Sequence, residues 1–322
     1  MSLSPDRAVW AEALSRSGLH PRLEEPLSRL GFWRIGGPAD VFVEVPHDTG
    51  LKAVLDLGVP VTWIGRGSNL LVSDRGIRGI TARLVGDFEV SDIAPRSDEA
   101  PDLAPRVDAG AGLANIVLLT RVARSGFGGL GCLAGVPGTI GGAVRMNAGS
   151  LLGEVSDILL GVQVATPGSA PRWIEPGELD LGYRQCRIPE GGVVTRARFG
   201  LLDQDVEADR ERVQAFITRR KATQPLDQPS CGSVFKNPPG DHAARLIEAV
   251  GLKGMQQGGA RISPLHANFI VNTGSATAAD VLSLIVRARE TVLQQLGVCL
   301  EPEVHAVGDW NDRALPEGTV RH

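Results

Sequence analysis

Residues 129–149 read GLGCLAGVPGTIGGAVRMNAG, and this stretch limits the possible folds more than any other: seven glycines are spaced among apolar residues, and the single charge is Arg145. A solvated loop is more polar, and a helix or strand interior tolerates glycine poorly, at roughly 0.5–1 kcal/mol per residue against alanine. The backbone here is therefore expected to be buried. Either it is a tightly packed turn region, or it lies against something flat and partly apolar, a description that suits a flavin.

Length and charge narrow the setting. A chain of 322 residues has room for two or three domains. With 33 Lys+Arg against 37 Asp+Glu there is no global field to attract nucleic acid or an anionic membrane, so an anionic ligand must be met by local cations or backbone N–H groups. The four cysteines, Cys132, Cys186, Cys231 and Cys299, show neither C-x-x-C pairing nor histidines at zinc spacing, and read as reduced thiols with no metal. No apolar run approaches the roughly 18 residues of a membrane span. The first residues carry Asp6 and Arg7 in place of a secretory pattern. The expectation is a soluble, cytoplasmic protein with no nucleic acid or membrane partner.

Along the chain, the first thirty residues read as helical. Strands are expected at 41–45 (VFVEV), 61–64 (VTWI) and 80–84, and the acidic, proline-rich stretch 91–105 reads as an exposed loop or linker. A strand at 106–109 and a helix at 113–124, stopped by Gly126, precede the glycine-rich segment, and β structure is expected from 162 to 199. Near Glu207 the pattern turns to a charged helix. Two more follow: His242–Val250, stopped by Gly251, and Thr277–Leu296, with Thr277 and Asp280 spaced as a capping box and Gly297 at the far end.

Several segments could carry chemistry. IGRGSNLLVSD, 64–74, sets G-x-G and two small polar residues after a strand, which describes either a plain tight turn or a nest of N–H groups for phosphate. It is not a dinucleotide fingerprint, because an apolar strand-like run follows instead of a helix; GAGLAN at 110–115 precedes a helix but lacks the acidic residue at the usual distance. In PSCGSVFKNP, 229–238, Ser233 lacks the G-x-S-x-G setting of an acyl-transfer nucleophile.

The ordered set of RIGGPAD (34–40), GRGSNLLVSD (65–74), AGVPGTIGGAVRMNAG (134–149), GYR (182–184), PSCGSVFKNP (229–238), GGARISPLHANFIVN (258–272) and LEPEV (300–304) resembles the UDP-N-acetylenolpyruvoylglucosamine reductase family. The resemblance implies an α+β protein: an FAD-binding fold of the vanillyl-alcohol-oxidase type in two subdomains, 1–90 and 91–206, then a substrate-binding α+β domain, 207–306, and a tail, 307–322. It implies FAD as cofactor, NADPH as hydride donor and a UDP-sugar enolpyruvyl ether as substrate, in peptidoglycan precursor synthesis. Ser233 would protonate the carbanionic centre that hydride addition leaves beside the substrate carboxylate, which accounts for a serine without a hydrolase setting.

By the same resemblance Arg184 would pair with the substrate carboxylate and Glu303 would polarise or help protonate the intermediate. Judged alone, the first reads equally as a surface ion-pair member and the second as a solvated carboxylate. Cofactor contacts would come from Gly65, Gly67, Ser68, Asn69 and Leu70, and from Gly135, Pro137, Gly138, Thr139, Gly141, Gly142, Asn147, Ala148 and Gly149. Substrate contacts would come from Tyr183, Lys221, Lys236, Asn237 and His266, although Arg219, Arg220 and Lys221 also read as a plain helix end and His266 as a structural residue. The chain resembles the shorter branch of the family, without the tyrosine-bearing loop over the substrate. Cys186 and His305 stand where relatives often carry serine and arginine. The rival readings are a flavin oxidase of the same superfamily, whose flavin could be tethered through Cys132, and a flavin-binding module without activity.

Overall fold

The computed structural model describes residues 5–96 and 104–310, so part of the acidic stretch expected as a linker, and most of the tail, lie outside the described residues. Helix α1 (Pro5–Arg16) is followed by strand β1 (Arg22–Pro26), which pairs antiparallel with β2 (Pro38–Val45) in the register Arg22↔Phe42 and Pro26↔Pro38. The first thirty residues are thus not helical throughout. Strand β1 exists because β2 supplies its hydrogen-bond partners from farther along the chain, which local apolar periodicity does not register. Helix α2 (Asp48–Asp56) is capped by His47, whose Nδ1 accepts from the Gly50 amide at 3.0 Å.

Strands β3 (Val61–Trp63), β4 (Leu70–Val72) and β5 (Ile77–Leu84) come next, and the sheet order is β1-β2-β5-β3. Part of the expected linker is a strand, β6 (Ser91–Ala94), paired with β7 (Arg106–Gly110) in the register Ser91↔Ala109. Helix α3 (Asn115–Arg124) buries Asn115, Leu118 and Val122, one helical stripe, and Gly126 follows its end at φ +82°. Helix α4 (Ile140–Arg145) is capped by the Thr139 hydroxyl, which accepts from Gly142 N.

The chain continues through β8 (Gly149–Ser150), β9 (Gly153–Glu154), β10 (Leu159–Ala165), β11 (Arg172–Ile174), β12 (Asp180–Gly182), β13 (Gln185–Arg187) and β14 (Val193–Gly200). Helices α5 (Val206–Thr223) and α6 (Ala243–Ala249), strands β15 (Gln256–Gln257), β16 (Ala260–Ile262) and β17 (Ile270–Asn272), helix α7 (Ala278–Leu296) and strand β18 (His305–Val307) complete the described residues.

By compactness these residues group into two units, one within 1–21, 43–65 and 82–220, the other within 22–42, 66–81 and 221–322. The first is built on an antiparallel sheet of order β11-β10-β14-β7-β6. Its strand β14, VVTRARFG, alternates as a sheet with one apolar face must: Thr195, Ala197 and Phe199 are buried, and Arg196 and Arg198 point the other way. Arg198 lies opposite Asp108 in the ladder and binds it with two hydrogen bonds of 2.7 Å. The polar helix α5 holds the glycine-rich segment: Asp209 accepts from the Gly129 amide at 2.9 Å, and Arg220 donates to the Gly135 carbonyl.

The second unit has one core, in which Trp33, Leu71, Phe235, Leu246, Ile270, Ile285 and Leu300 meet. Trp33 is fully buried; its indole N–H donates to Ile270 O at 2.6 Å, and Asn272 Nδ2 returns a bond to Trp33 O at 2.9 Å. The expected capping box is present on α7. Thr277 Oγ1 accepts from Asp280 N at 3.1 Å, Asp280 accepts from Thr277 N at 3.0 Å, and Gly297 ends the helix at φ +70°. Asp74, the last residue of GRGSNLLVSD, accepts from the Ala278 and Ala279 amides at 2.7 and 3.0 Å and so adds a second cap that places negative charge at the helix N-terminus. Thr277→Ala is expected to cost about 1 kcal/mol and Asp74→Ala about 2 kcal/mol in denaturant unfolding, because the second removes two charge-assisted bonds. Unchanged unfolding midpoints would show that these caps do not hold α7.

Candidate active site

The structure pairs the backbone segments that carry Ser233 and Glu303. Their segments run antiparallel as a short ladder: Glu303 N donates to Val234 O at 2.7 Å, Lys236 N donates to Glu301 O at 2.9 Å, and Phe235 bridges Pro302. Asn268, inside the LHANF run, clamps the other side. Its Oδ1 accepts from Phe235 N at 2.9 Å and its Nδ2 donates to Phe235 O at 2.8 Å, while its own carbonyl takes Val234 N. Val234 and Phe235 are buried and Ser233 is half-buried, so the serine stands at the edge of an apolar-anchored extended segment.

Asn69, expected at the cofactor, belongs to the same set. Its Nδ2 donates to Glu303 O at 3.0 Å and its carbonyl accepts from His305 N at 3.0 Å, where the parallel pair β4–β18 begins with His305 opposite Leu70. The Cys231 thiol faces the carbonyls of Gly67 and Leu70 at 3.7 and 3.6 Å, tying the serine segment to the G-x-G turn. Gly67 sits at φ +63°, and a Cβ there would approach Gly31 Cα to 2.9 Å. The chain's own backbone therefore already demands glycine at this position.

Arg184 belongs to the other unit, at φ +57° in the two-residue turn of the β12–β13 hairpin. Its Nη1 donates to Glu154 Oε1 at 3.0 Å and its Nη2 to Gly149 O at 3.1 Å, and its guanidinium lies 4.8 Å from the centre of the Tyr183 ring, which is itself exposed. Glu154 was not singled out from sequence, although it follows the NAG of the glycine-rich motif.

The glycine-rich segment can be tested for a flavin cofactor on its own geometry. Gly135 and Gly138 have φ of +65° and +112°; a Cβ on Gly65 would meet Thr139 Oγ1 at 2.7 Å, and one on Gly141 would meet Ala111 Cβ at 3.0 Å. Among the described residues the Gly138 and Thr139 amides reach no protein acceptor, although their neighbours Asn115 and Ile140 complete a bridge across them. Asn115, 1% exposed, donates from Nδ2 to Val136 O at 3.2 Å, while its Oδ1 is buried without a partner. Side-chain-free backbone with open N–H groups and one buried acceptor fits a large cofactor that carries phosphate and hydrogen-bonding rings. Gly142 is used within α4, and Ala148 O accepts from Val155 N.

Other expected contacts have structural work of their own. Lys236 pairs with Glu301 at 2.6 Å, Asn237 Oδ1 accepts from Ala243 N at the start of α6, and His266 packs edge-on to Phe269 with centroids 4.8 Å apart. Lys221 is exposed on α5. Burial pushes the Cys132 and Cys231 thiols up from an ordinary 9 to about 12. At neutral pH both are protonated and poor nucleophiles, so Cys132 does not suit a covalent flavin tether.

Two family models match the chain: one described as an FAD binding domain over residues 49–172, and one described as the C-terminal domain of UDP-N-acetylenolpyruvoylglucosamine reductase over residues 224–307. Fold and site together define an FAD-dependent oxidoreductase of α+β architecture. The UDP-N-acetylenolpyruvoylglucosamine reductase of Myxococcus xanthus is 44% identical over 309 residues, covering 94% of this chain and 97% of its own length, and that of Methylococcus capsulatus is 43% identical, covering 95% of each. The crystal structure of the enzyme of that name from Thermus caldophilus is 38% identical and superposes with a TM-score of 0.76 over 89% of this chain and 98% of its own. The chain belongs to the UDP-N-acetylenolpyruvoylglucosamine reductase family. Among the described residues no helix is long and apolar enough to cross a membrane.

Because the folded thiols titrate above their unfolded value, their burial stabilises the protein fully below pH 9, and this contribution is lost as the pH rises from 9 towards 12. Iodoacetamide at pH 8 is therefore expected to label Cys299, the exposed cysteine, and to spare the three buried ones until the protein is unfolded, with the flavin released on denaturation. Rapid native labelling of Cys132, or flavin retained on the denatured chain, would contradict this.

Proposed function

We propose that the protein reduces UDP-N-acetylenolpyruvoylglucosamine to UDP-N-acetylmuramate with NADPH, a step of peptidoglycan precursor synthesis. The observation that carries the reading is the ladder that holds Ser233 beside Glu303, at 2.7 Å between Glu303 N and Val234 O, with Asn69 fastened to the same carbonyl run. FAD, when bound, supplies hydride transfer from the nicotinamide to the terminal vinyl carbon of the substrate. Residues 135–142, with the open amides of Gly138 and Thr139, and the 65–70 turn would hold it.

What remains for the chain is charge and proton control. Hydride addition leaves negative charge on the carbon beside the substrate carboxylate, delocalised as an enolate. The Arg184 guanidinium presents a planar fork to that carboxylate and stabilises the developing charge. The Ser233 hydroxyl then delivers its proton to the carbon, which is basic enough to take it from a neutral alcohol held in line. Glu303 polarises the same centre from the adjoining strand.

The functional division we propose is 1–90 and 91–206 for the cofactor, in a fold of the vanillyl-alcohol-oxidase type, and 207–306 for the substrate. The protein acts as a cytoplasmic monomer, and its free, buried thiols support the reducing compartment.

Ser233→Ala is expected to leave anaerobic bleaching of the flavin by NADPH nearly intact and to slow its reoxidation by the enolpyruvyl nucleotide on the order of 100-fold. Equal damage to both half-reactions would reject Ser233 as proton donor. A yellow protein that NADPH never bleaches would reject the reductase itself.

A further inference from the structure

We infer that Glu154 is a positioning residue that, held by Asn147, aims the Arg184 guanidinium; this rests on the reading of Arg184 as the group that meets the substrate carboxylate. Arg184 stands in a two-residue turn at φ +57°, a backbone that a non-glycine residue adopts only when its surroundings hold it there. Its guanidinium donates to Glu154 Oε1 at 3.0 Å and to Gly149 O at 3.1 Å.

Asn147 secures both partners of that contact. Its Nδ2 donates to Glu154 Oε2 at 3.1 Å and to Gly182 O, the residue before the turn, at 3.0 Å. Its Oδ1 accepts from Ser156 N at 2.8 Å, so the amide cannot be turned over without losing all three bonds. Asn147 is 1% exposed. Its side chain is thus committed to three hydrogen bonds within the protein.

This arrangement explains why the residue is glutamate and not its amide. Position 154 must accept on both side-chain oxygens, from Arg184 on one and from Asn147 on the other, and only a carboxylate offers two acceptors. A glutamine would turn an N–H₂ either to the guanidinium or to the Asn147 N–H₂. Its own anchoring is firm: Glu154 N donates to Asp157 Oδ2 at 2.8 Å and the backbone pairs Gly149↔Glu154 across β8–β9. The carboxylate thus links the end of the glycine-rich motif to the hairpin that carries the arginine.

The test is anaerobic half-reaction kinetics on the flavin-loaded protein, with flavin content and thermal unfolding measured alongside. Glu154→Gln and Glu154→Ala are both expected to slow reoxidation by the enolpyruvyl nucleotide on the order of tenfold or more, since a misplacement near 1 Å is costly, with NADPH reduction changed less than about twofold. In an Arg184→Ala background the Glu154→Gln change should add less than about twofold, because residues acting through one another do not add. A Glu154→Gln variant that reoxidises at the wild-type rate, equal slowing of both half-reactions, or full additivity with Arg184→Ala would each overturn the inference. Arg184→Ala reoxidising normally would instead remove the role of Arg184, and this inference with it, a result distinct from normal kinetics in Glu154→Gln alone.

Discussion

The 2.7 Å hydrogen bond from the Glu303 amide to the Val234 carbonyl is the constraint on which the candidate site depends, because it fixes two segments that have no reason to meet until the second unit has folded. Val234 and Phe235 go into the core with Trp33, Ile270 and Leu300, and once they are buried their backbone groups must find partners. Asn268 and the 301–303 run supply them. Ser233 inherits its position from that requirement: it is the half-buried residue at the rim of a strand whose next two side chains are committed to the core.

The first unit solves a different problem, that of holding glycine-rich backbone still. Glycine has no side chain to pack, so order must come from elsewhere. Helix α5 contributes Asp209 and Arg220 to Gly129 and Gly135 in the first part of the loop, Thr139 caps α4, and the Asn147–Glu154 pair binds the far end to the β12–β13 hairpin. The open amides of Gly138 and Thr139 are what this bracing leaves for a ligand.

Much of the fold was legible in local sequence. The α7 capping box, the glycine stops after α3 and α6, and the alternation of β14 are short-range patterns with short-range causes, and each is present. Where the reading failed, the cause was long-range: β1 and β6 are strands because β2 and β7 pair with them, and neither shows an apolar alternation of its own. The site divides the same way. Ser233, Arg184 and Glu303 stood out through ordered motifs, whereas Glu154 and Asn268 are unremarkable as letters and gain meaning only from the atoms they touch.

By itself, the sequence determined the family, the need for a buried glycine backbone, and the ends of the longer helices, because these follow from residue types at fixed spacing. Only the tertiary structure decided that Asp74 caps α7, that the Asn147 side chain bonds Glu154, and that the segments carrying Ser233 and Glu303 pair through their backbones. A side chain with both donor and acceptor atoms satisfies whichever partner the packed chain brings within 3 Å or so, and that choice is made by contacts between residues far apart in the sequence.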